Sequence, residues 1–538
     1  MTEVVLSGLA VSVGVAVGPA FTLAEPVANE DADGVDAALE ALARIAQELG
    51  RTAERLRAQG RETQAEIIEA NQLMADDPTL AADVAELAGG RSASAALRIA
   101  TNRRADALAA LDDPLLAARA ADVRELGRRA VRALGGAGAP DPPPRPSIVV
   151  ARDLGPAELV DLRLEEGFVL GIALAEGSAT AHAAIIARSL SVPMVAGVGN
   201  ELLDVATGEE VVVDGTTGTA VARPDAATLV QFQAAAASDA RERERLAAGR
   251  GRPAVTADGR QIRLLANAST PAEAAAALDC AAEGLGLVRT ELAFLDASAW
   301  PTEEQHREAL AATLSVFSGH VVTVRTLDFG ADKTPPFLHG RGGRGVALTL
   351  EHEDALEAQF AGILRAAAET KLRIMLPLVE SPVEVVAARR VLRRAAIATR
   401  RPVPPLGAMI ETPTAASRSH ELALVSDFFS IGTNDLVATT LGLDRKSGAA
   451  SPLTAGDPRV VKLIKRTVES AHAAGITVEV CGEAAGEPSL TPLLVSLGID
   501  ELSVSPSRLD AVREAIRASG EGGDELRQLR DGGGSVVA

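Results

Sequence analysis

The sequence predicts a multidomain α/β protein: a small α/β domain with a helical bundle inserted into it, a linker helix, and a C-terminal (β/α)8 barrel. Three observations carry this. A chain of 538 residues exceeds what one ordinary core serves. Its N-terminal part changes from strand-like to helix-like patterning and back. Beyond Pro253, apolar strand segments and helical segments alternate regularly.

Val4 to Leu23 reads as short strands with glycine turns. From about Asp33 to Leu134, Ala/Leu/Arg/Glu segments recur with helical spacing and break at Asp76-Asp77-Pro78 and Asp112-Asp113-Pro114, which predicts a bundle of about four helices. Gly135 to Pro146 is a Gly/Pro linker. Strands return at Ser147–Val150, Phe168–Ile172 and Glu210–Val213, so residues 1–23 and 147–223 form one α/β domain interrupted by residues 24–146. Residues 224–253 read as a polar linker helix; a final surface helix of the first domain fits nearly as well. Eight strands then follow in residues 254–519: Gln261–Asn267, Gly284–Glu291, Val321–Asp328, Leu372–Val379, Pro405–Thr412, Phe428–Asp435, Thr477–Glu483 and Glu501–Ser505. Residues 520–538 are Gly-rich and polar and read as a disordered tail.

Composition narrows the function. The chain is 47% apolar and 23% charged, as in globular proteins. A net charge of −20 argues against general nucleic-acid binding and suits a partner with a basic face. No apolar run approaches membrane-spanning length, and Met1-Thr2-Glu3 does not open a signal peptide. Cys280 and Cys481 are the only cysteines, so no disulfide framework is suggested and the cytoplasm is the default compartment.

The most informative stretch is Gly177-Ser178-Ala179-Thr180-Ala181-His182-Ala183-Ala184-Ile185-Ile186-Ala187-Arg188. It places one histidine between a turn of small residues and an apolar helix start, where free N–H groups attract anions. An imidazole there can accept a phosphoryl group; a helix capped by Thr180 with a half-buried His182 is the alternative. In the barrel, the active-site end is the C-terminal end of the strands. Those ends read Arg289-Thr290-Glu291, Arg325-Thr326-Leu327-Asp328, Glu411-Thr412-Pro413, Asn434-Asp435 and Cys481-Gly482-Glu483. Arg289 and Arg325 suit an anionic group through forked hydrogen bonds, and Glu411 and Asp435 are hard oxygen ligands suited to Mg²⁺. Rim salt bridges are the alternative for each residue alone.

These segments together resemble enzyme I of the bacterial phosphotransferase system, the phosphoenolpyruvate–protein phosphotransferase family, from about Leu6 to Arg517. The resemblance rests on Thr180–Leu190, Gly284–Glu291, Arg325–Lys333, Met409–Ala416, Asp427–Leu436, Asp444-Arg445 and Cys481-Gly482-Glu483. It implies a swivelling phosphohistidine domain with His182 as the phosphorylated residue. It implies that Arg289, Arg325, Lys333 and Arg344 bind phosphoenolpyruvate and that Asn434 and Arg445 lie around its carboxylate and phosphate. It further implies that Glu411 and Asp435 hold Mg²⁺ and that Cys481 protonates the enolate; a small buried hydrophobe is the other reading of Cys481. The inserted bundle matches the subdomain that docks the carrier protein HPr, and the barrel matches a homodimerisation domain. The implied activity is transfer of the phosphoryl group to His182 with release of pyruvate, then to a histidine of HPr, in sugar transport.

Three departures stand out. Gly155 occupies the place of a threonine that commonly orients the histidine. The usual Gly-Gly-Arg-Thr-Ser-His lead-in reads Gly177-Ser178-Ala179-Thr180-Ala181-His182, without its arginine. The loop from Lys333 to Arg344 is short. A dikinase-type enzyme shares the histidine domain and barrel but needs a nucleotide domain that residues 1–146 do not hold. A non-catalytic paralogue that kept the fold is the second alternative. The chain starts at the strand Val4–Leu6 with no sensory domain before it, which favours the sugar-transport branch over the nitrogen-related one.

Overall fold

The computed structural model describes residues 3–23, 34–58, 62–110, 114–135, 142–164, 167–177, 182–190, 192–295, 297–330, 334–340, 342–367, 369–443 and 452–520. The chain divides into two compact units, Met1–Glu244 and Arg245–Ala538.

In the first unit, β1 (Val4–Ser7), β2 (Leu9–Ser12) and β3 (Val15–Thr22) precede the insertion, and β4 (Ser147–Ala151), β5 (Val169–Leu174), β6 (Met194–Ala196), β7 (Glu210–Asp214) and β8 (Thr219–Ala222) follow it. They form one sheet in the order β1-β8-β7-β3-β4-β5-β6-β2. The run β3-β4-β5-β6 is parallel and the flanking pairs are antiparallel. All of β4 is buried, as its uninterrupted apolar run requires of a central strand.

The insertion holds five helices among the described residues, one more than expected: α1 (Val35–Ala58), α2 (Glu62–Ala75), α3 (Pro78–Ala88), α4 (Ala93–Ala109) and α5 (Pro114–Leu134). Both expected breaks are real. Asp77 caps α3 by accepting the Thr79 N–H at 2.8 Å, and Pro114 opens α5. The extra stop lies at Gly89-Gly90-Arg91-Ser92, where the Ser92 hydroxyl accepts the Ala95 N–H at 3.4 Å and starts α4. Two short helices return the chain to the sheet, α6 (Pro156–Asp161) and α7 (His182–Ser189), and α8 (Ala226–Ala248) follows β8. None of α8 is buried.

In the second unit β9 (Arg263–Asn267), β10 (Gly284–Val288), β11 (Val321–Arg325), β12 (Lys371–Leu376), β13 (Leu406–Ile410), β14 (Phe428–Ile431), β15 (Thr477–Val480) and β16 (Glu501–Val504) close into an all-parallel barrel, with β16 pairing back to β9. This is the expected (β/α)8 architecture. The expected strands run too far at their C-terminal ends: Glu291 lies in a 3₁₀ turn, Asp328 in a loop, and Thr433-Asn434-Asp435 in the first turn of the helix Thr433–Leu441. The polar residues mark where the chain leaves the ladder, not where the ladder ends. The expected tail beyond Gly520 lies outside the described residues.

Candidate functional site

His182 begins α7 directly after β5 and its turn. Ala183, Ala184, Ile186 and Ala187 face inward onto a core of Val149, Leu174 and Met194, which fixes α7 against the sheet. Residues 178–181 lie outside the described residues.

Beside this element, α5 and α6 share a buried charge network. Glu158 pairs with Arg128 at 2.7 Å and Arg132 at 3.1 Å. Arg129 pairs with Glu125 at 3.1 Å and with Asp161. Burial pushes the Glu125 carboxyl up to about 7 against the pull of Arg129, with Glu158 pushing further. Burial also opposes the charge on Glu158, but Arg128 and Arg132 overcome it and hold Glu158 low, at about 2. Glu125 bears on the first departure, because its carboxylate fills the space beside Gly155.

The barrel rim gathers six of the ten expected site residues. Arg325 ends β11 and is buried; its guanidinium donates to Glu291 at 2.5 Å and faces Asp328 at 3.2 Å. Burial works against this charge, but Glu291, Asp328 and Glu411 hold it above its ordinary value. Arg344 pairs with Asp435 at 3.3 Å and lies 3.6 Å from Asp328. A glycine makes room for it. A Cβ on Gly330 would stand 2.9 Å from Arg344 Cγ, and Gly345, with φ +57°, lets the chain press against Leu378. Glu411 follows β13 and is buried; its Oε1 accepts the Leu378 N–H at 2.7 Å. Leu378 itself holds a left-handed backbone, φ 51°, a strained conformation of the kind that collects at functional sites.

Asn434 accepts the Glu483 N–H at 2.9 Å and so ties the start of the helix Thr433–Leu441 to the turn after β15. Gly482 packs against Thr433 so closely that a Cβ would stand 1.9 Å from its hydroxyl. That turn places Cys481, which is buried among Leu287, Met375, Met409 and Phe428. Burial, then Glu479, pushes the Cys481 thiol up to about 12. It is therefore a thiol at neutral pH rather than a ready nucleophile. The reading of Cys481 as a small buried group is borne out by its surroundings.

Arg289 follows β10, is exposed, and its guanidinium forms no ion pair among the described residues. Lys333 and Arg445 lie outside the described residues. The rim salt bridges offered as an alternative also exist, since Arg325 is held by Glu291 and Asp328. Sequence reasoning assigned no role to either carboxylate. It also missed Gln359, which is fully buried, donates to Thr290 at 3.1 Å and accepts the Leu327 N–H at 3.1 Å, bracing the β10 and β11 exits.

Among the described residues, no three His, Cys, Asp or Glu side chains form a metal cage. The donor set still fits a hard cation bound partly through a ligand. Asp328 and Asp435 crowd Glu411, which burial raises to about 7, so the cluster carries negative charge that a cation relieves. Gly432 keeps that side open: a Cβ there would stand 2.8 Å from Glu411 Oε2.

Fold and rim define a closed parallel barrel with charged groups gathered at its C-terminal end, in one chain with a histidine-bearing α/β domain. Residues 243–520 match the PEP-binding domain of PEP-utilising enzymes, residues 143–218 their mobile domain, and residues 7–119 their N-terminal domain. A multiphosphoryl transfer protein of Rhodobacter capsulatus is 38% identical over 531 residues, covering 96% of this chain and 64% of that protein. Its counterpart in Xanthomonas campestris pv. campestris is 38% identical over 448 residues, covering 80% of this chain and 53% of that protein. A phosphoenolpyruvate-protein phosphotransferase of Staphylococcus carnosus is 32% identical over 553 residues, covering 98% of this chain and 96% of that protein. The chain thus spans between half and two thirds of the multiphosphoryl transfer proteins and nearly all of the Staphylococcus protein. It belongs to the phosphoenolpyruvate–protein phosphotransferase family, enzyme I of the bacterial phosphotransferase system.

Proposed function

We propose that the chain moves the phosphoryl group of phosphoenolpyruvate to His182, releases pyruvate, and passes the group to a histidine of HPr in sugar transport. One observation carries this reading: the cationic groups Arg325 and Arg344, the carboxylates Glu411 and Asp435, and the protonated thiol of Cys481 converge at the C-terminal rim of one barrel. Phosphoryl transfer needs chiefly positioning and charge neutralisation, which such a rim supplies.

In this reading Arg289, Arg325, Lys333 and Arg344 grip the substrate phosphate, and Asn434 and Arg445 flank its carboxylate and phosphate. Glu291 and Asp328 hold the Arg325 fork in place before substrate arrives. Glu411 and Asp435 would hold Mg²⁺, whose charge neutralises the phosphate oxygens. Cys481 gives its proton to carbon three of the enolate, which completes pyruvate and makes transfer from the substrate favourable. His182 sits in the first unit and the donor rim in the second, so the histidine domain swings between donor and acceptor about the region from Ala226 to Pro253. Helices α1–α5 dock HPr, and the barrel pairs two copies of the chain. In this reading the chain is cytoplasmic and engages neither nucleic acid nor bilayer, which its net charge of −20 supports for nucleic acid; among the described residues no helix is long and apolar enough to cross a membrane.

Pyruvate release with and without HPr tests this. Sustained release only with HPr supports it. Release that requires a nucleotide would point to a dikinase, and no release at all to a non-catalytic paralogue.

A further inference from the structure

The barrel interior beneath Cys481 is polar, where such interiors are usually filled by branched apolar side chains. Glu479 on β15 lies two residues before Cys481, which directly follows the strand, and both side chains are buried on the barrel's inner side. The Ser430 hydroxyl on β14 donates to Glu479 Oε1 at 3.4 Å and is close enough to the Cys481 thiol to pull its pKa down, while the thiol itself donates to the Ile431 carbonyl at 3.8 Å. Gly286 on β10 makes the space: a Cβ there would stand 2.8 Å from Glu479 Oε1. Below, Arg373 on β12 is shared between Glu479 at 3.3 Å and Glu501 at 2.8 Å, and Arg263 on β9 pairs with Glu501. Glu501 therefore takes two guanidinium groups and Glu479 takes part of one. Burying carboxylates is costly, and nothing in phosphoryl transfer requires these.

We infer that Glu479, through Ser430, returns to Cys481 the proton that the thiol gives up in each turnover. This rests on the reading of Cys481 as the acid that protonates the enolate. The proton balance closes. Sγ–H goes to carbon three of enolpyruvate and leaves a thiolate. The Ser430 hydroxyl gives its proton to that sulfur and takes the carboxyl proton of Glu479. Glu479, now a carboxylate beside Arg373, regains a proton from water at the β9 side, where Arg263 is 45% exposed. The direction is downhill. Burial, then the charge of Glu501, raises the Glu479 carboxyl to about 8 against the pull of Arg373, so it is protonated at neutral pH, while the Cys481 thiol at about 12 is far the stronger base once ionised. The charged and titratable groups around Glu479 are Arg373, Glu501, Arg263 and Cys481.

The full chain, with Mg²⁺, phosphoenolpyruvate and excess HPr, separates the first turnover from later ones. Glu479→Gln and Ser430→Ala should release a burst of one pyruvate per site at near the wild-type rate, then slow at least tenfold. Wild-type steady turnover should fall as pH rises through about 8, and Glu479→Gln should lose that dependence. Steady turnover at the wild-type rate in both variants would overturn the relay. So would a first turnover slowed as much as the rest, which marks a structural role. A wild-type chain that forms no pyruvate overturns the proposed function and the relay with it, an outcome distinct from either.

Discussion

A Cβ on Gly155 would stand 1.9 Å from Oε2 of Glu125, so the Glu125 carboxylate occupies the space that any larger residue at position 155 would need. Its other oxygen accepts the Glu158 N–H at 2.7 Å and the Arg129 Nε–H at 3.1 Å, which pins it across the seam between α5 and α6. The glycine that departs from the family's threonine is thus matched by a carboxylate from the helical insertion.

Gly155→Thr should therefore lower stability by about 1–3 kcal/mol through overpacking against Glu125. Adding Glu125→Ala should recover part of that loss, which thermal unfolding of the single and double variants measures. Equal losses in both would separate the two residues.

Glu411→Gln and Asp435→Asn should each reduce turnover by orders of magnitude while circular dichroism stays unchanged. Near-normal turnover with unchanged Mg²⁺ dependence in both variants would remove the metal pair.

Cys481→Ser should still phosphorylate His182 in one turnover but release pyruvate slowly or with relaxed facial selectivity. In the native wild-type protein, alkylation should reach the half-buried Cys280 first and Cys481 only on unfolding. Normal pyruvate rate and stereochemistry in the variant would assign the proton to another group.

His306 is buried against Phe294, edge to face at 4.8 Å, and burial lowers its pKa from 6.5 to about 4. The unfolded chain binds this proton more readily than the fold does, so the contribution is present above pH 6.5 and is lost as pH falls through about 4. The barrel should lose up to about 3 kcal/mol over that window. His306→Phe should flatten this acid sensitivity, measured by denaturant unfolding across pH.

The sequence reveals elements better than their ends. Each barrel strand was legible because a run such as Leu406–Ile410 is apolar and flanked by turn residues. Its rim was legible because Arg325, Glu411 and Asp435 fall where the apolar run stops. The ends overran because polar rim residues resemble strand continuations. The fifth helix was hidden by Ala-rich patterning that runs up to Gly89 with little contrast. Glu479 was illegible for another reason: Thr477-Val478-Glu479-Val480-Cys481 alternates as a half-exposed strand does, and only barrel closure turns that glutamate inward. Glu125 gave no local signal, since it meets Gly155 from 30 positions away along the chain.

On the proposed function, the phosphoryl group of phosphoenolpyruvate reaches His182. Mass spectrometry of the full chain after incubation with phosphoenolpyruvate and Mg²⁺ tests it most directly. The account predicts one acid-labile, base-stable phosphate on the peptide holding His182, absent from His182→Ala and absent when the fragment Met1–Glu244 is incubated without the barrel. Phosphate on His420 or His472, or autophosphorylation of that fragment alone, would contradict it.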